Sequence, residues 1–208
     1  MNLDWDVHTL PIATDVSMKR TIRLAQPGDM FVLLEPSAQE AICLRQRQLA
    51  LQARFGGQPH ELVHLTCQRF TLGDESRVNG VIDRVVGLHT QPPLDLVAIS
   101  LIQFEHAFWG SRLLRWQVRV TDELHCFCRL VDDILTQAGA TVHYPWSTSW
   151  ENKSVTALEN VPPVDLDSSL AETEYPHQLF DVCQVVLSRI ADQSVFEILA
   201  QARLWTQK

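Results

Sequence analysis

The chain has 208 residues, 46% hydrophobic and 20% charged, a composition that supports a packed core and leaves little room for disorder. A formal net charge of −8 sets the surface as a whole against long duplex nucleic acid, and no apolar run approaches the roughly 20 residues that cross a bilayer. The acidic start "MNLDWDVHTLP" lacks the basic-then-apolar order of a signal peptide, so a soluble, cytoplasmic protein is expected, with no membrane partner. Residues 1–28 have no clear periodicity and are expected to be an N-terminal extension to a single bilobal domain at 29–208. "DMFVLLEP" reads as a buried strand over 31–35, a short apolar run bounded by Gly28 and Pro36. Ser37 and Glu40 form a capping box for a helix over 37–55, with Ala38, Ile42, Leu49 and Ala53 at helical spacing and Gly56-Gly57 ending it.

A strand follows at 61–70, then a helix from about Asp74 with Val78, Ile82, Val85 and His89 on one face. "LDLVAISLIQF" at 94–104 is a strand. Residues 112–120 make a clearer one, because Leu114, Trp116, Val118 and Val120 alternate with Arg115, Gln117 and Arg119. Thr121 caps a helix over 121–138, whose apolar stripe is Leu124, Phe127, Cys128, Val131, Leu135 and Ala138, closed by Gly139. A Trp-rich loop leads to a strand at 153–160, and "HQLFDVCQVVLSRI" and "VFEILAQARL" finish the chain as strands.

The halves repeat. Strand 31–35, helix 37–55 and strand 61–70 correspond to strand 112–120, helix 121–138 and strand 153–160. The expected fold is α+β and two-lobed, with duplicated strand-helix-strand units, sheets lining a central cleft and helices outside. His64-Leu65-Thr66 on one repeat strand aligns with Ser154-Val155-Thr156 on the other. Side chains alternate across a strand, so the apolar members face the helices. His64, Thr66 and Gln68 then share the cleft face, as do Ser154 and Thr156. A histidine transfers protons near neutral pH, and a hydroxyl two residues on can hydrogen-bond a phosphate oxygen. Two such pairs facing each other would bracket one phosphate, one imidazole activating the attacking oxygen and the other protonating the leaving one.

"ELVHLTCQRFTLGD" and "VFEILAQARL" resemble segments of the 2H phosphoesterase superfamily, close to its 2′-5′ RNA ligase and cyclic phosphodiesterase group, and the likeness runs from about Asp29 to about Leu204. Those proteins carry two H-x-[TS] motifs on equivalent strands. The resemblance implies a catalytic role for His64, phosphate contacts from Thr66 and Thr156, chemistry without a metal or other cofactor, and a nucleotide or RNA terminus as partner. It implies a reaction on 2′,3′-cyclic phosphates or 2′-5′ linkages. Ser154 departs from the pattern, since a hydroxyl cannot replace imidazole as an acid or base at neutral pH without an activating neighbour. Ser154 is then expected to hold phosphate, with the rate reduced or altered. Alternatively the protein is a non-catalytic nucleotide- or RNA-end-binding module.

Further candidates for substrate contact are Arg115 and Arg119, if their strand face meets the cleft, and Trp146 and Trp150, which could stack on a base. His143 and Lys153 lie near or on the second motif segment and could take over from the missing histidine, although Lys153 should point away from the Ser154 face. Five scattered cysteines read as reduced thiols. His125, Cys126 and Cys128 do not share a helix face, so no zinc site is expected. No Gly-rich nucleotide loop or G-x-S-x-G elbow occurs.

Overall fold

The computed structural model describes residues 26–88, 94–106, 111–143, 153–163, 166, 178–192 and 195–204. Strand β1 (Met30–Glu35) leads to helix α1 (Ala38–Phe55), and the capping box is present in full, Ser37 accepting from the Glu40 amide and Glu40 from the Ser37 amide. The stripe that α1 buries is Leu44, Gln48, Leu51 and Phe55, not the predicted one. Ile42 and Leu49 are 55% and 48% exposed. Both sets have helical spacing, and the one in line with Phe55 gained the core.

After α1, Gly56 and Gly57 take positive φ. At Gly57 a Cβ would come within 2.6 Å of the Glu159 carbonyl, so only glycine lets the chain run close enough to pair there. That approach sets the short β2 (Gln58–Pro59) against β8 (Ser154–Glu159). The predicted 61–70 strand begins later, as β3 (Leu65–Thr71), with His64 just before it. A 3-10 turn capped by Asp74 opens α2 (Val78–Val86), which buries Val78, Val81, Ile82 and Val85; His89 lies outside the described residues. The predicted 94–104 strand is divided at Val97 into β4 (Asp95–Leu96) and β5 (Ala98–His106).

β6 (Ser111–Val118) and α3 (Asp122–Gln137) follow as predicted. Leu114, Trp116 and Val118 are buried, and Thr121 accepts from the Leu124 amide. Then come β7 (Thr141–Val142) and β8. The predicted strand at 177–190 is divided into β9 (Phe180–Asp181) and β10 (Gln184–Asp192), and β11 (Val195–Arg203) closes the chain.

The order β11-β10-β1-β3-β8-β6-β5 makes one antiparallel sheet, with β2 and β7 pairing at its centre and β4-β9 forming a separate ribbon. This is the α+β fold expected, built from the two strand-helix-strand repeats. Their half-sheets meet edge to edge where Leu65 lies opposite Val155. One face of the sheet carries the main core, in which Val32, Leu65, Cys67, Val155 and Ala157 pack with side chains of all three described helices. The opposite face holds a small apolar cluster of Phe31, Leu33, Val186 and Ile190, with Leu62 and Phe196 against it.

Candidate active site

The meeting of β3 and β8 is antiparallel and centred on the middle residue of each tripeptide. That register sets Thr66 level with Ser154 and His64 level with Thr156, with directly facing Cβ atoms about 5 Å apart. Leu65 and Val155 point to the helices, so these four side chains emerge on the other face. β6 extends the pattern, since Arg115 faces Thr156 and Gln117 faces Ser154. Two rows therefore cross the seam: His64, Thr156 and Arg115 in one, and Thr66, Ser154 and Gln117 in the other. They lie about 7 Å apart, two residues of strand rise.

His64 is 9% exposed. Its Nδ1 lies 2.8 Å from the Leu62 carbonyl oxygen, which can only accept, so Nδ1 carries the proton and Nε2 the lone pair. Phe196 stands edge-on to the ring at 5.7 Å, and the His60 ring is 5.6 Å away. Burial, the nearby His60 and, less strongly, Arg115 lower the His64 pKa from 6.5 to about 3, against the opposing pull of the Leu62 carbonyl. His64 is therefore a neutral imidazole, and Nε2 has no hydrogen-bond partner among the described residues.

Burial lowers Arg115 to about 10, which leaves it a cation at neutral pH. Its guanidinium lies 5.5 Å over the Phe104 ring, and its buried Nε has no hydrogen-bond partner. The Thr66, Ser154 and Thr156 hydroxyls likewise have none among the described residues, whereas Gln117 accepts from the Ser100 hydroxyl at 2.7 Å. One imidazole nitrogen, one guanidinium and three hydroxyls thus converge on one strip of sheet. The guanidinium and the hydroxyls are donors that an anion complements, and the His64 Nε2 lone pair beside them can accept a proton.

Gln68 does not join this face. Opposite β1 the register passes from Leu33–Thr66 to Val32–Gln68, so Cys67 is a bulge and the alternation slips. Gln68 turns to the helix side and donates to Asp132 of α3 at 2.6 Å. Lys153 also points to the helix side, as expected, donating to the Cys67 carbonyl at 3.2 Å with burial lowering its pKa. Arg119 is exposed beyond the end of β6. His143 stands on the site face, 3.8 Å from Asp29, further along β3. Trp146 and Trp150 lie outside the described residues. Cys126 faces solvent and Cys128 the core, and no group of three potential metal ligands occurs among the described residues.

One neighbour of the site is absent from the sequence reading. His60 Nδ1 lies 2.7 Å from Glu159, beside His64. The two residues are 99 positions apart and meet because β2 pairs with β8, and a two-residue strand containing proline gives no periodicity to read.

No family model matches the sequence, and no curated protein matches it significantly. Solved structures do match. LigT of E. coli in its apo form is 14% identical at a TM-score of 0.59, over 88% of this chain and all of LigT. A crystal structure of a phosphoesterase is 13% identical at 0.57, over 87% and 100%. TT0787 of Thermus thermophilus is 14% identical at 0.55, over 85% and 97%. The chain has the 2H phosphoesterase fold. At this identity the 2H likeness is one of architecture.

Proposed function

We propose that the protein is a phosphoesterase of the two-histidine type, acting without a metal on 2′,3′-cyclic phosphates or 2′-5′ linkages of nucleotides or RNA ends. The observation that carries this reading is the convergence of His64 Nε2, Arg115 and the hydroxyls of Thr66, Ser154 and Thr156 on the face away from the helices. LigT has been crystallised with phosphate, 3′-AMP and ATP, ligands with the same anionic chemistry.

The division of labour follows from the chemistry. Arg115 neutralises charge developing on the phosphorus oxygens, the hydroxyls fix the phosphate, and His64 Nε2 takes the proton of the attacking oxygen. A pKa near 3 makes His64 a poor base in an empty site. A phosphate beside it favours the imidazolium and raises that value, so the base is switched on by the substrate's own charge. Ser154 supports a second reading, a nucleotide-binding module without turnover, because it leaves the position opposite His64 without a proton donor of suitable strength.

Incubation of the protein with 2′,3′-cyclic nucleotides and 2′-5′-linked dinucleotides in EDTA separates the two. The phosphoesterase reading expects ring opening or linkage cleavage, seen as a new monophosphate on chromatography. Binding without product overturns it in favour of the module.

A further inference from the structure

The face that bears the site continues past Ser154. His143 follows directly on β7, whose Val142 lies opposite Phe70 of β3, and the His143 amide donates to the Arg69 carbonyl at 2.9 Å. Val142 packs against the main core, so His143 projects from the other face, the face of Thr66 and Ser154. Arg69 returns to that face after the Cys67 bulge, and Asp29 shares it, because Met30 belongs to the helix-side core and Phe31 to the opposite cluster. Asp29 is 1% exposed. Its Oδ2 accepts from the Gln26 amide at 2.9 Å and lies 3.5 Å from Arg69 Nε, while Oδ1 lies 3.8 Å from His143 Nε2.

β8 and β7 thus pair with one edge of β3 in succession, β8 at Leu65 and β7 from Phe70. Ser154 and His143 stand along a single line, separated by about two pair positions, or about 7 Å of strand rise. His64 lies on the other side of the Thr66 and Ser154 hydroxyls. A phosphate held by those hydroxyls has an imidazole at each end of the seam.

We infer that His143, held by Asp29 and Arg69, is the second proton-transfer residue, displaced along the seam from the position that Ser154 occupies. This rests on the phosphoesterase reading above. On a 2′,3′-cyclic phosphate, water attacks phosphorus and loses its proton to His64 Nε2. One ribose P–O bond breaks, its electron pair stays on the ribose oxygen, and that oxygen takes a proton from His143. Exchange with solvent restores both imidazoles. His60 fits this role less well. It lies on the side of His64 away from Thr66, with its Nδ1 engaged by Glu159, so it stands beside the base and not across the phosphate from it.

The test compares wild type, His143→Gln and the double variant His143→Gln/Ser154→His for kcat, KM and the pH–rate profile on a 2′,3′-cyclic nucleotide. His143→Gln should lower kcat about 100-fold or more, leave KM within a few-fold, and remove the high-pH limb on which a protonated acid is lost. Among the described residues Asp29 lies against His143, with Arg69 on the far side of its carboxylate, and both are unchanged in these proteins. The double variant, with imidazole restored at 154, should regain at least about tenfold in kcat. His143→Asn serves if His143→Gln does not give a native circular dichroism spectrum, with the same loss expected. Unchanged kcat without His143 overturns the inference while the phosphoesterase reading stands, as does loss in His60→Gln with none in His143→Gln. No turnover by wild type overturns both.

Discussion

His64 is held by unlike neighbours: the Leu62 carbonyl fixes its tautomer, Phe196 covers one side, and His60 and Arg115 disfavour its protonation. The cost of this arrangement appears in acid. The folded pKa of about 3 lies below the ordinary 6.5, so between those values the unfolded chain binds a proton that the folded chain does not. Stability must then fall as pH drops from about 6.5 towards 3. Denaturant titrations at several pH values should show a steeper loss over this window in wild type than in His64→Phe, which keeps an apolar ring in the niche. Carboxylates titrate in both proteins and cancel in the difference. Parallel pH profiles would show that His64 titrates freely in the folded protein. Sequence spacing alone makes His64 a candidate, but its suppressed basicity comes from burial and from the nearness of His60 and Arg115, which alternation along one strand cannot reveal.

Among the elements, α1 shows where periodicity runs out. Ala38, Ile42, Leu49 and Ala53 form one apolar line and Leu44, Leu51 and Phe55 another, and only tertiary packing chooses between them. The choice has a measurable consequence. Leu51, 4% exposed, should cost about 2–5 kcal/mol when cut to alanine. Leu49, 48% exposed, should change stability by no more than about 0.5 kcal/mol. Urea midpoints of the two variants check this, and equal losses would mean that both stripes are covered. α3 was legible except for Ile134, which the predicted stripe lacked, and Ala138, which caps the helix, because Thr121 marks its start and the other five stripe residues are buried. The Cys67 bulge was not legible, since a bulge inserts one residue without any change in composition. It turns Gln68 away from the site and returns Arg69 to it.

At the scale of the molecule, each half contributes one motif strand, and the site exists only where the half-sheets meet. The sequence repeat therefore reaches beyond architecture: it predicts which residues stand level across a junction. The register sets Leu65 opposite Val155, the middle residues of His64-Leu65-Thr66 and Ser154-Val155-Thr156. His143 was named only from its nearness to the second motif strand, and His60, Glu159, Asp29 and Arg69 were beyond that reading, because short strands at the junction, β2 and β7, bring these groups together. Both groups lie on the seam, one at each end of the motif pair.

The measurement that tests the site most directly is the kcat of His64→Ala against wild type on a 2′,3′-cyclic nucleotide in EDTA, with 3′-AMP affinity measured alongside. We expect kcat to fall about 100- to 10,000-fold, as for loss of a general base, while the Thr66, Ser154, Thr156 and Arg115 contacts keep 3′-AMP affinity within about tenfold, one ligand contact's worth. Turnover at the wild-type rate without His64 would contradict the assignment.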